Sequence, residues 1–406
     1  MTFTSRLGSS NLYDSGLRNI TSRQADLSGL QENLTSGKKV VRASDDPTGI
    51  AQAERALTRM SRIQTDQRAL ESQKNSIAMA ESTLGDVTLA LQNFRELVVS
   101  AGNGAFSQAE RQTVALQLTG LRDQIVALAN RNDTNGMPLF AALGSALAPF
   151  VGPSTPTDYT FDGLPGQSAS NEVSIPYALD GDSAFMLTTA RDGAYNVTST
   201  NPALRSGGVS VSNALAVTNA SYSIAFTAVD TVSTPGTTNI SYDIIDSSGN
   251  VTAASASYVN GQSFTVTGIS GLSMTLSGTP TVGDTVTVDP SASLFSVLDD
   301  AIRDIGGASS TGSASQAVGQ ALHNIDIGMN RVSAVRGLAG DLLNRADRIS
   351  ANQEVRSIQL EADRSRAEDL DMIKGISDFQ NKQTGYQAAL QSYAQIQKLS
   401  LFNFIG

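Results

Sequence analysis

A chain of 406 residues has room for two or three domains, each with a core of its own. It holds no cysteine, no tryptophan and one histidine, and its 28 Lys and Arg stand against 38 Asp and Glu, a formal charge of -10. Disulfides, thiolate metal sites and a thiol nucleophile are excluded, and the acidic balance opposes electrostatic attachment to nucleic acid or an anionic membrane.

From the start of the chain, Tyr13, Leu17, Ile20, Gln24, Leu27, Gln31 and Leu34 step by four and three, which is a heptad seam on one helix. Ile63, Leu70, Ile77, Leu84, Leu91 and Val98 recur every seven residues, with Val87 and Phe94 between, so a second helix spans much of 50–100. After Gly102 and Gly104, Ser107-Gln108-Ala109-Glu110 reads as a capping box opening a third helix through Val114, Leu118, Leu121, Ile125 and Leu128. From about Gly152 to Pro290 short alternating runs rich in Gly, Pro, Ser and Thr predict strands. Residues Thr238 to Ile244 alternate polar with apolar, Ser247-Ser248-Gly249-Asn250 supplies a turn, and Phe264, Val266, Leu272, Met274, Leu276, Val286 and Val288 continue the period of two.

Helix returns from about Ala292. Val318, Leu322, Ile325, Met329 and Val332 step four and three, and Leu343 and Ala346 resume the register after Arg336 and Ala339. Met372, Ile376, Phe379, Gln383, Tyr386, Leu390 and Tyr393 form a last seam. Each long helix buries one stripe, so the N- and C-terminal sets most economically cover each other. The fold class is α+β: a long antiparallel helical bundle or coiled coil of the two terminal segments, with an inserted antiparallel β region. The expected division is an N-terminal helix over 1–47 pairing with 352–406, bundle segments 48–150 and 293–351 pairing with each other, and a β-rich outer domain over 151–292.

The run Leu34-Thr35-Ser36-Gly37-Lys38-Lys39-Val40-Val41-Arg42-Ala43-Ser44-Asp45-Asp46-Pro47 resembles the signature joining the first two helices of flagellins and hook-associated proteins. Asp133-Thr134-Asn135-Gly136 with Leu139-Phe140 resembles the turn after the third helix of the same family. Pro47 directly after the paired aspartates, the ending Leu399 to Gly406, and Gly278-Thr279-Pro280 with Gly283 to Val288 look like the hook-filament junction members. Flagellin proper, with alanine after the aspartates and an aromatic-poor tail, is the alternative. One departure is the first arginine, Arg6, where the family often has arginine right after the initiator.

The resemblance implies a structural subunit of the flagellum without enzymatic activity or cofactor. It implies export by the flagellar type III apparatus without a cleaved signal peptide, in keeping with Met1 to Gly16, which lack a secretory layout. The subunit would lie outside the cell in a ring-like layer of copies of itself, beside the hook-side junction protein and flagellin, with an export chaperone on the C-terminal helix. No apolar run approaches the roughly 20 residues that cross a bilayer, and neither membrane insertion nor a nucleic-acid partner is expected.

The residues offer little else. Asp45 and Asp46 could form an acid-base or metal pair, but the reading adopted is a signature cap, Ser44 to Pro47, with Asp46 as N-cap and Pro47 as first helical residue. His323 lacks nearby partners for a triad or metal cluster, Asp180-Gly181-Asp182 lacks the later ligands of a calcium loop and reads as a β-turn, and Gly102-Asn103-Gly104 has no phosphate-loop Lys. An enzyme or glycan-binding adhesin in 151–292 is the distant alternative, with nothing converging on a site. The candidate assembly interface is the apolar set on the terminal helices: Tyr13, Leu17, Ile20, Leu27, Leu34, Ile376, Phe379, Tyr386, Leu390, Tyr393, Leu401, Phe402 and Phe404. A lone pair of helices offers these too little core, and Gln24, Gln31 and Gln383 would set register between packed copies.

Overall fold

Heptad periodicity without interior proline makes long helices. The computed structural model describes residues 9–154, 158–231, 233 and 235–405, with side chains for 14–153, 158–231, 233, 235–395 and 397. Helices α1 (Ser9–Ser36), α2 (Pro47–Ala101) and α3 (Gln108–Ala129) come first. A hairpin of β1 (Phe150–Ser154) and β2 (Asp158–Phe161) and two short helices, α4 (Gly181–Phe185) and α5 (Thr189–Asp192), follow. Strands β3 (Tyr195–Ser199), β4 (Arg205–Ser206), β5 (Ser210–Val211), β6 (Tyr222–Asp230), β7 (Thr237–Asp246), β8 (Val251–Val259), β9 (Phe264–Val266), β10 (Leu272–Ser277) and β11 (Thr285–Pro290) make up the β region. Helices α6 (Leu294–Gly307), α7 (Thr311–Glu368) and α8 (Met372–Ile405) close the chain. The architecture is α+β, terminal helices with an inserted antiparallel β region.

Two compact units result, one of residues 1–67 with 350–406 and one of 68–349. In the second unit α2 and α7 run antiparallel, as the ion pairs Arg95–Asp326 at 2.9 Å, Glu81–Arg336 at 2.7 Å and Lys74–Asp347 at 2.7 Å record. Their facing seams close a core through Ile77, Leu84, Leu91 and Val98 on one side and Ile325, Val332, Ala339 and Ala346 on the other. Helix α3 is capped as its sequence dictates: Ser107 Oγ accepts from Glu110 N at 3.3 Å and Glu110 Oε2 accepts from Ser107 N at 2.6 Å. Ser293 caps α6 with its side chain alone, accepting from Ser296 N at 3.0 Å.

Residues 150–194 fold into the helical core, where Phe150, Tyr159, Phe185 and Phe295 form a ring cluster with centroids 5.0 to 5.6 Å apart. A second core begins at Tyr195 and ends at Val288. It lies within the five-stranded antiparallel sheet β3-β11-β6-β7-β8 and the smaller group of β10 with β4, β5 and β9. The two cores thus divide at 194/195, inside the span read above as one β-rich insert. Gln320 and Asn324 of α7 fix the second core to the first by donating to the Tyr195 carbonyl. The β7–β8 turn is Ser247 to Asn250, where Asp246 Oδ1 accepts from Ser248 N and Asn250 N, both at 2.9 Å.

Asp180-Gly181-Asp182 is not the β-turn that its composition suggests. Asp180 accepts from Asp182 N at 3.1 Å and from Ser183 Oγ at 2.7 Å, which caps α4 instead. A β-carbon on Gly181 would meet the Phe140 carbonyl at 2.3 Å, so the close approach of this helix requires glycine.

Candidate assembly interface

The signature run is the connector from α1 to α2. Gly37, in the left-handed region at φ 72°, ends α1. The connector is then stitched to the α7–α8 connector: Lys39 N donates to Glu368 O at 2.8 Å, Leu370 N to Gly37 O at 2.9 Å, and Lys38 pairs with the Glu368 carboxylate. Arg42 grips both Glu32 oxygens at 2.9 and 3.0 Å while its own amide donates to Asp45 Oδ2 at 2.9 Å. Ser44 Oγ lies 3.3 Å from Asp45 Oδ1. Asp46 Oδ1 accepts from Gly49 N at 2.9 Å, from the Thr48 hydroxyl at 2.7 Å and from Thr48 N at 3.0 Å, and Pro47 is the first residue of α2. Those bonds, Gly49 first and the Thr48 hydroxyl next, hold the Asp46 carboxyl below the usual range. Both aspartates are engaged in turning the chain, which suits a cap rather than proton transfer.

Helices α1 and α8 pair antiparallel. Lys382 bridges Asp26 at 2.9 Å, and β-carbons built on Gly16 and Gly375 would lie 3.2 Å from Tyr393 Cδ2 and Leu34 Cδ2 respectively. Ile20 is buried and Leu27, Leu34, Phe379, Tyr386 and Tyr393 are half-buried along this line. Leu17 is 46 % exposed, Ile376 47 % and Leu390 41 %, so the pair leaves one flank of each seam uncovered. At about 100° per residue, Gln24 and Gln31 share the Leu17 flank and Gln383 the Ile376 and Leu390 flank, and all three glutamines are exposed. The side chains of Tyr13, Leu401, Phe402 and Phe404 lie outside the described residues.

Charge separates the two units. Residues 1–67 and 350–406 hold 15 Lys and Arg against 14 Asp and Glu, and residues 68–349 hold 13 against 24, together the 28 and 38 of the chain. The terminal unit is thus close to neutral, and the acidic excess lies in the other unit. Several residues of this unit carry no signal in the sequence pattern. The exposed Val355, Ile358 and Ile373 fall outside the heptad seams, and the contact of Gly49 with the Ala367 carbonyl has no local pattern. Elsewhere, His323 Nε2 lies 3.3 Å from the Val209 carbonyl. In the signature turn after α3, Asp133 Oδ1 accepts from Asn135 N and Met137 N at 2.8 Å and Oδ2 from the Tyr177 hydroxyl at 2.6 Å. Among the described residues no three His, Asp or Glu are grouped to hold a metal, and no helix is long and apolar enough to cross a membrane.

Comparison with known proteins accords with this geometry. Residues 9–144 match the bacterial flagellin N-terminal helical region and residues 322–405 the C-terminal helical region. The flagellar hook-associated protein 3 of Salmonella typhimurium is 36% identical over 147 residues, 36% of this chain and 46% of that protein. The Escherichia coli protein of the same name is 37% identical over 149 residues, again 46% of its length, so the chain spans about half the length of the curated relatives it matches. Among solved structures, the hook-associated protein-3 of Legionella pneumophila superposes with a TM-score of 0.60 at 21% identity, covering 76% of this chain and 98% of that one. The FlgL structure of Xanthomonas campestris gives 0.58 at 23% identity over 76% and 98%. These likenesses establish the fold. With the N- and C-terminal helical regions of one family together matching more than half of its residues, the chain belongs to the bacterial flagellin family.

Proposed function

We propose that this chain is a structural, non-enzymatic subunit of the bacterial flagellum that joins hook to filament, assembling through its terminal helices after export by the type III route. The observation that carries the reading is the terminal unit: neutral in charge, built on an antiparallel helix pair, and open along Leu17, Ile376 and Leu390. A flank of this kind gains its burial from neighbours in an assembly. The names of the two relatives above support the junction over the filament, and Pro47 and the aromatic tail agree with that choice.

In this reading the chain forms a ring-like layer outside the cell, with the hook-side junction protein on one side and flagellin on the other. An export chaperone covers the C-terminal helix beforehand, and the caps at Asp46 and Pro47 set the angle between α1 and α2. The test is to locate an epitope-tagged chain by immunogold on isolated hook-filament structures. A narrow band of label where hook meets filament is the expected result. Label along the whole filament would make the chain a flagellin, and its absence from the structures would end the reading.

A further inference from the structure

The last five turns of α7 carry one covered line and one exposed line. The covered line runs through Gln353, Ser357, Leu360, Arg364 and Ala367, in steps of four and three, and the Ala367 carbonyl lies against Gly49 of α2. On the far side of the same helix, Ala351, Val355, Ile358 and Ala362 repeat the steps of four, three and four, and all are exposed, Val355 at 55 % and Ile358 at 64 %. Single exposed apolar residues are ordinary, but a line of them at heptad spacing is the surface that a second helix fits.

We propose that this outer line of α7 is a socket for the uncovered flank of the α1–α8 pair, carrying Leu17, Ile376 and Leu390, of a second copy of this chain. The inference rests on the assembly reading above and adds its geometry. Three observations select a second copy. The heptad spacing asks for a helix, the terminal unit is close to neutral and so does not repel its own copy, and the same unit presents a separate exposed flank on which Leu17, Ile376 and Leu390 alternate with uncharged glutamines. Socket and flank are different surfaces of one chain, so the contact is heterologous and repeats from copy to copy around a closed layer.

The absence of cysteine makes the contact directly testable. Full-length chains carrying Ile358→Cys, Leu390→Cys or both are expressed in flagellated cells, and sheared hook-filament structures are treated with a short bismaleimide. The double variant should give a ladder of dimers and higher species, each single variant monomer only, and the co-expressed singles dimers only. A double variant that links no better than the singles overturns the socket, as does efficient dimerisation of Ile358→Cys alone, which would mean a two-fold contact. The monomer band in the sheared fraction separately reports the proposed location. If the chain is missing there, that reading fails, and the same three variants are read on concentrated purified protein, where a missing ladder still overturns the socket.

Discussion

The unit of residues 68–349 closes cores of its own, and the unit of 1–67 with 350–406 is built on a helix pair whose seams are only half covered. The first closes two cores, surrounds Phe295 with Phe150, Tyr159 and Phe185, and carries the whole excess of negative charge. The second is close to neutral and leaves Leu17, Val355, Ile358, Ile376 and Leu390 to solvent. The lesson is that helices of similar pattern serve different ends according to what covers them. A seam with a covering partner along its whole width stabilises the subunit, and a half-covered seam stores burial for association.

The largest expected effect tests the self-sufficient side. Phe295→Ala removes a fully buried ring from the aromatic cluster and should lower the unfolding free energy by about 3 to 5 kcal/mol, measured by chemical denaturation. Ile358→Ala in the other unit should change it by less than about 0.5 kcal/mol. If the two substitutions cost alike, the contrast between the units collapses.

A second effect concerns Asp300, which lies beside Arg303 and Asp304 and receives a weak bond from Ser291. Burial pushes its carboxyl up to about 6, against the pull of Arg303. The folded state then holds a proton that the unfolded state releases between about pH 4 and 6. The buried carboxylate therefore costs stability above pH 6, and that cost disappears as the pH falls toward 4. Asp300→Asn should raise stability at pH 7 by about 2 kcal/mol and flatten the pH profile between these limits, as thermal melts across pH will report. An unchanged profile would remove Asp300 from the account.

A smaller effect sharpens the terminal side. A β-carbon at Gly49 would sit 2.5 Å from Asp46 Oδ2 and 3.3 Å from the Ala367 carbonyl, so Gly49→Ala must shift the cap or α7. A loss of about 1 to 2 kcal/mol is expected in denaturant unfolding. The smallest belongs to the exposed Lys382–Asp26 pair, where Lys382→Ala should cost no more than about 0.5 kcal/mol and less still in high salt.

Much of this contrast was legible in the chain, and the legible part follows local rules. Seven-residue spacing from Leu70 to Val98 marked α2, Ser107 with Glu110 marked the start of α3, and Ser247 to Asn250 marked a hairpin turn, because each depends on residues within a turn or two. What escaped depends on partners far along the chain. Residues 150–194 join the helical core through Phe150 and Phe185, although their composition reads as strand and loop. Asp180 caps a short helix whose Gly181 lies against the Phe140 carbonyl, a long-range contact that no local pattern announces. On the terminal helices the seam residues could be listed from spacing, but not which flank the partner helix leaves open. The pairing register, fixed by Gly16 against Tyr393 and Leu34 against Gly375, decides that. The outer line from Ala351 to Ala362 lies beyond the α7 seam read from Val318 to Ala346, and two of its four members are alanine, which carries a weak apolar signal.

The central claim is that the open flank of the terminal helix pair drives incorporation while contributing little to the fold of the subunit. The most direct measurement compares Leu390→Asp with Gln391→Asp, neighbours on α8 of which only Leu390 belongs to the seam. Secretion, thermal unfolding of the purified chain and unpolymerised flagellin in the medium are recorded for each. Both variants should be secreted and unfold like the unsubstituted chain, and only Leu390→Asp should shed flagellin, since an unpaired charge would have to be buried at every repeated contact. A Leu390→Asp chain that is secreted and supports normal filaments would contradict the account.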